Sequence, residues 1–522
     1  MSSTANPSAG SPANSPRLRR SLTLWDLILY GIIVIQPVAP MSVFGVLSDR
    51  GHGHVVTTIL IAMVAMLFTA ISYGRMARAY PSAGSAFTYV GQEINPALGY
   101  VTGWSMVMDY MLNPIICTIW CSQQAHVFAP GVPYAVWAVF FALVFTLMNI
   151  QGVKTSARVN SALAAAMGVV IVIFFVVAAR YIFGHPHDSA GFYTHPFYDP
   201  SMWNTKAVLG GTSIAVLTYI GFDGISTLSE EAENPRRNIL LATVLTCLVI
   251  GILSAFEVYA AQLIWPASQP FPDVDTAFVH VAGRAWKPMF GIIGFTLLVA
   301  NFGSGMGAQI GAARLLYGMG RSNALPKSFF GVVDEKHRVP RNNVLFVGAV
   351  ALIGAFVMSY GLGAEMLNFG ALIAFMGVNL AANLRYNIRE SGSSRTKQFG
   401  PRLLALVAAV AFLSALIRSD ALHYVLAYML PDAFLFSVSH ALFLVALVVG
   451  GGALILLAIV APRAVFCAPM AGFFICFLLW LSLSLKAVIA GTIWMAAGIA
   501  FGAWKTRGFR GDLVNFDLPP EE

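Results

Sequence analysis

Two apolar segments of this chain, residues 24–47 and 207–228, are each interrupted near the middle by residues that cannot continue an α-helix. Gln36-Pro37-Val38-Ala39-Pro40 cuts the first, and Gly221-Phe222-Asp223-Gly224 cuts the second. Proline lacks an N–H and its ring clashes with the preceding turn, whereas glycine admits backbone angles that other residues avoid. In hydrocarbon an unpaired amide or carbonyl costs several kcal/mol, so a break at mid-depth persists only where it faces a protein-enclosed or watery cavity. Interrupted helices at corresponding places in two halves of a bundle are the signature of a midplane binding site in a secondary transporter. The expectation is a chain that moves a small solute.

Composition places the rest of the chain in the same setting. Hydrophobic residues make up 58% and charged residues 10%, where a soluble domain carries about 25% charged residues. About fourteen stretches approach the roughly 20 apolar residues that a spanning helix needs, which leaves no room for a separate soluble domain. The fold class expected is an all-α polytopic membrane protein. Residues 1–21 read as a disordered tail and 22–388 as a ten-helix transport core. An extra helix pair follows at 401–462, then the last two helices at 466–505 and a tail at 506–522. The basic Arg17, Arg19 and Arg20 lead straight into a full-length span, unlike a signal peptide. Alternate connections hold most of the other cations, among them Arg75, Arg78, Lys154, Arg158, Arg236, Arg237, Lys505, Arg507 and Arg510. That bias predicts a plasma-membrane protein, the bacterial inner membrane on the resemblance given below, with both termini cytoplasmic. The net charge of +8 then reflects topology and contact with anionic lipid rather than nucleic-acid binding. The five cysteines, Cys117, Cys121, Cys247, Cys467 and Cys476, read as small packing residues, and no metal site or cofactor is expected.

Ionisable groups at the centre of a span cost about 2.5–3.5 kcal/mol on insertion scales, so each needs a reason. Asp109 lies in the third span; Asn113 shares its helix face and Tyr110 is adjacent. It reads either as substrate ligand or as a buried packing group. Asp223, inside the second break, reads as a cap for freed amides, a substrate contact, or both. Glu257 in the seventh span reads as a side chain snorkelling to the interface. At the first break, Ile35, Gln36 and Pro37 are candidate binding residues. A half-helix N-terminus suits an anion, yet Pro37 and Pro40 supply no N–H, while the half-helix before each break ends in carbonyls that suit an ammonium. With Asp109 and Asp223, the pocket favours a cation over a zwitterion; the alternative is that Gln36 and the remaining amides hold a carboxylate. Tyr110, Tyr219 and Phe222 are candidate aromatic walls. In the eighth span Asn301 and Ser304 are candidate polar contacts, and Gly303, Gly307 and Gly311 read as a seam for close helix packing. After the second break, Glu231 with Arg75 is a candidate inner latch. The proton-coupling candidates are Asp109, Asp223 and Glu230.

Three stretches resemble the amino acid–polyamine–organocation permease superfamily: residues 71–89, 221–231 and 313–326. Within it the chain looks most like bacterial putrescine importers, which share a proline in the first break, a site like Met108-Asp109-Tyr110 and a Gly-Phe-Asp in the sixth span. The resemblance implies a five-plus-five inverted repeat with discontinuous helices 1 and 6, alternating access and proton-driven uptake. It implies a substrate site between spans 1, 3, 6, 8 and 10, which maps onto Gln36, Asp109, Tyr110, Phe222 and Asp223. The chain departs from that pattern in its extra helix pair. It also lacks the lysine that some proton-coupled relatives carry in span 5, where Asn160 and small residues stand. Ser304 is followed by Gly305 rather than a second hydroxyl, which favours protons over sodium.

The leading expectation is import of an organic amine, polyamine or amino acid by proton symport. The alternative is an amine or amino-acid exchanger. Expected partners are the solute, protons and membrane lipids, with a second copy of the chain as a candidate. No spaced catalytic cluster suggests an enzyme, and no filter-like repeat suggests a channel.

Overall fold

The computed structural model describes residues 22–80, 85–151, 157–185, 191–229, 232–321, 325–334, 339–389 and 467–506. The expected extra helix pair, the N-terminal tail, and Glu230 and Glu231 lie outside them.

The first span is two helices, α1 (Leu24–Ile35) and α2 (Ala39–Arg50), bent by 46° at the break. A capping box starts α1, in which Thr23 and Asp26 each bind the other's backbone amide. Helices α3 (Val55–Ala79), α4 (Ser85–Glu93), α5 (Pro96–Phe128), α6 (Tyr134–Ile150) and α7 (Ala157–Gly184) complete the first half. The sixth span begins as α8 (Thr205–Ala215) and tightens into two 3₁₀ turns, Val216–Thr218 and Phe222–Leu228. Next come α9 (Pro235–Ile264), α10 (Ala277–Ala285), α11 (Lys287–Arg321), α12 (Lys327–Phe330), α13 (Arg341–Val357) and α14 (Tyr360–Asn383), the last ending in a π-type turn. Helices α15 (Cys467–Leu481) and α16 (Leu485–Lys505) close the described chain.

Among the described residues seven helices are long and apolar enough to cross a membrane, and the α1–α2 pair makes an eighth. Helices α6, α13 and part of α15 are shorter apolar helices. Helix α5 runs for 33 residues and carries Asp109, Asn113, Gln124 and His126 on the way. It packs against α11, α14, α6 and α13, whereas many apolar residues of α7, such as Val172, Val176 and Phe183, face outward.

The packing carries the repeat. Span 2 (α3) packs on span 7 (α9), span 3 (α5) on span 8 (α11), span 4 (α6) on span 9 (α13), and α1 on the sixth-span turn. Each half also places a nine-residue helix after its second span, α4 in one and α10 in the other. In an inverted repeat these lie on opposite faces of the bundle, named below by those helices.

Candidate functional site

The two breaks meet. Gln36 precedes Pro37, which disfavours the helical region for its neighbour and fits the Gln36 ψ of 118°, while the Gln36 φ of 68° lies in the left-handed region. Gly221 adopts φ 122°, and a Cβ there would lie 3.0 Å from Val34 Cγ1 and 3.3 Å from Ile35 Cγ1 at the end of α1. Glycine is therefore required twice, for its φ and for the close approach. Farther along, the Glu233 amide donates to the Leu22 carbonyl at 2.8 Å, tying the exit of span 6 to the entry of span 1.

Backbone groups near the first break are largely spent locally. The Ala39 amide donates to Gln36 O at 3.0 Å and the Met41 amide to Val38 O at 3.1 Å, while Pro40 has no N–H. The start of α2 thus presents a poor cradle for a carboxylate. In the second break the Gly221 amide donates to Asp223 Oδ1 at 3.2 Å, so Asp223 does act as a cap. The Ser226 hydroxyl donates to the Asp223 carbonyl at 2.6 Å.

A cavity of about 70 Å³ lies beside the breaks, lined by residues of spans 1, 3, 6, 8 and 10. Of the residues expected from sequence, Ile35, Gln36, Asn113, Asn301 and Ser304 line it. Gln36 Nε2 donates to Ala300 O at 2.5 Å, bridging the first break to α11. Asn301 Nδ2 donates to Ser42 Oγ at 3.0 Å, and the Ser304 hydroxyl donates to Asn113 Oδ1 at 3.5 Å. Ser42, Thr218 and Tyr360 also line the cavity and were not singled out from sequence. Tyr360 had a usable signal, a polar aromatic at the start of the tenth span.

Asp109 and Tyr110 stand about one turn from Asn113 toward the α4 face. Asp109 is 7% exposed and, among the described residues, takes no hydrogen bond and no ion pair. It lies within electrostatic reach of Asp223, and both carboxyls act on Tyr73 and Tyr110. No lysine or arginine side chain among the described residues reaches either carboxyl. The expected aromatic walls are directed elsewhere. The Tyr219 hydroxyl donates to Ile59 O at 2.9 Å, the Tyr110 ring abuts Gly311, and Phe222 packs edge-on against Tyr73, with ring centroids 5.5 Å apart. Two further expectations are corrected. Gly303 and Gly307 are exposed rather than seamed, and the close approaches fall at Gly305, against Phe145 and Cys117, and at Gly311. Glu257 does not snorkel; it is fully buried because its face of α9 turns into the bundle.

Both faces are closed. Toward α4, Tyr73, Tyr89, Phe222 and Phe375 form a fully buried aromatic cluster. Beyond it Arg385 Nη1 pairs with Glu93 Oε1 at 2.6 Å, and the Tyr80 hydroxyl donates to the same oxygen at 2.7 Å. Arg75, half of the latch expected with Glu231, lies over the Tyr386 ring at 5.9 Å, and Glu231 is outside the described residues. Toward α10, Arg50 pairs with Glu365 at 2.7 Å, and a Cβ on Gly45 would overlap the Val274 carbonyl of the loop before α10. Trp120 Nε1 donates to Asp275 O at 3.0 Å, and Gln123 Nε2 to Asp275 Oδ2 at 2.8 Å. Burial in that loop raises the Asp275 carboxyl above its ordinary range, against the Gln123 bond that lowers it. Among the described residues no three His, Cys, Asp or Glu side chains gather to hold a metal.

A polytopic bundle whose two broken spans meet beside a polar cavity is the arrangement of a membrane transporter. The amino acid permease family matches residues 38–463, and the chain belongs to that family, whose fold is that of the amino acid–polyamine–organocation superfamily. It is 35% identical over 384 residues to the low-affinity putrescine importer PlaP of Escherichia coli, covering 73% of this chain and 84% of that one. It is 26% identical over 388 residues to the branched-chain amino acid permease BcaP of Bacillus subtilis, with 70% and 80% covered. It is 25% identical over 408 residues to the vacuolar cationic amino acid transporter 4 of Arabidopsis thaliana, with 73% and 66% covered. The chain is thus a multi-pass membrane transporter of amino acids or amines.

Proposed function

We propose that the solute is an organic amine of the putrescine class, imported by proton symport through alternating access. The observation that carries this reading is the pair of carboxyls, Asp109 and Asp223, with no basic side chain of the described residues in reach. Two buried carboxylates without a counter-ion are costly, and an ammonium relieves that cost. The absent and spent amides at the start of α2 point the same way, since a zwitterion's carboxylate finds few donors there. The putrescine importer among the relatives agrees with this choice; BcaP marks the zwitterionic competitor.

On this reading Asp109 holds the ammonium, and Asp223 supports it while capping its own turn. Asn113, Asn301 and Ser304 contact the solute directly, and Gln36 fixes the break against α11. Tyr110, Phe222 and Tyr219 shape the walls through packing. The α4 face is cytoplasmic, as are both termini, and the membrane is the plasma membrane. The ion pairs Glu93–Arg385 and Arg50–Glu365 close the inner and outer faces in turn. The test is uptake of radiolabelled putrescine and alanine into proteoliposomes under an imposed inward proton gradient. Gradient-stimulated putrescine uptake that excess alanine leaves intact is expected. Alanine uptake that putrescine does not inhibit overturns the choice of solute, and solute counterflow insensitive to any gradient favours exchange instead.

A further inference from the structure

Glu257 is a buried acid that the site above leaves unused. It is fully buried in α9, and neither of its carboxyl oxygens has a hydrogen-bond partner among the described residues. The hydroxyls of Thr246 and Ser254, on the same helix, are likewise buried and unpartnered. At 100° per residue these three side chains fall within about 80° of arc and extend over about 16 Å of helix. Nearly all buried polar atoms in native proteins are satisfied, so a line of unsatisfied ones on an apolar helix calls for a function.

One end of the stripe lies beside the first half of span 1 and the sixth-span turn. A Cβ on Gly31 of α1 would lie 2.9 Å from Thr246 Oγ1 and 2.5 Å from Ile225 Cδ1 in the sixth-span turn. From there the stripe runs toward the α10 face and ends at Glu257. The elements packed on α9 are α1, α2, α3, α7, α10 and the sixth-span turn. At the level of Glu257 their titratable groups are Asp49 and Arg50 on α2, Arg180 and Tyr181 on α7, and His280 and Arg284 on α10; α3 carries none there. None acts electrostatically on the Glu257 carboxyl, and Arg50 is paired with Glu365. A charge at Glu257 therefore has no counter-charge, which in a protein interior costs several kcal/mol and is removed by one proton.

We propose that Glu257 carries the coupling proton, a proposal that rests on the proton-symport reading. A carboxylate oxygen takes a proton from the outer side while that face is open, and the same O–H bond breaks to the inner side after the solute leaves. One proton crosses per solute through this group, and the Thr246–Ser254 stripe links it to the moving breaks.

The test compares wild type with Glu257→Gln in proteoliposomes, using radiolabelled putrescine. For one-to-one coupling, a gradient of one pH unit supports up to about tenfold accumulation. The neutral amide mimics the proton-loaded acid, so Glu257→Gln is expected to retain counterflow, lose gradient-driven accumulation and lose the pH dependence of uptake. Glu257→Asp is expected to restore both. Gradient-driven accumulation at the wild-type level in Glu257→Gln overturns the proposal. Wild type that runs counterflow but ignores the gradient overturns the symport reading itself, and the proposal with it. A measurement without a variant guards against a misfolded one: an apolar carbodiimide, which attacks protonated carboxyls, should modify Glu257 and abolish gradient stimulation while sparing counterflow. Loss of stimulation with Glu257 unmodified overturns the proposal.

Discussion

At the scale of single residues, the two carboxyls near the breaks have different surroundings and should fail differently. Asp223 accepts from the Gly221 amide, whereas Asp109 takes no hydrogen bond among the described residues. Asp109→Asn is expected to weaken amine binding by about 3 kcal/mol, roughly 100-fold in Kd, with little change in melting temperature. Asp223→Ala is expected to cost about 1 kcal/mol of stability through the lost cap, read as a lower melting temperature in detergent. Equal effects of both variants on binding and melting would contradict this division of labour. Asp109 was legible in the sequence because a carboxylate in a span is expensive. Ser42 was not, because nothing in its local sequence says which cavity it faces.

At the scale of elements, the breaks follow from local chemistry and their meeting does not. Pro37 forces Gln36 off the helix, and Gly221 alone tolerates its φ, so both interruptions could be read from residue type. That Gly221 lies against Val34 and Ile35 required the tertiary packing. Gly221→Ala combines a forbidden φ with a tight contact and is expected to cost about 1–3 kcal/mol. Melting temperature and amine uptake should fall together; unchanged melting would show that the breaks separate freely. The glycine pattern of α11 misled because a four-residue spacing selects a helix face without saying what covers it. Gly303 and Gly307 are exposed, and Gly305, outside the repeat, meets Phe145.

At the scale of the whole molecule, α14 and its terminal turn carry an ion pair at each end. Glu365 meets Arg50 on one face and Arg385 meets Glu93 on the other. Glu93 and Arg385 are 292 residues apart, a separation that no local pattern reveals. Depth along a span is readable from residue count, but the direction a face turns is set by packing, which is why Glu257 was misread as interfacial. Breaking the Glu93–Arg385 pair should open the α4 face. In a cysteine-free background carrying Ser226→Cys, a buried position that contacts Ser85, Arg385→Gln is expected to raise thiol labelling from the α4 side about tenfold or more, the scale of one broken interaction. Labelling unchanged by Arg385→Gln would remove the pair from the gate.

Equilibrium binding to the purified protein tests the account at its centre, the claim that the crossing of the two breaks selects a positive charge. Labelled putrescine should bind, diamines should displace it, and alanine should not. Displacement by alanine at concentrations where diamines have no effect would contradict the account.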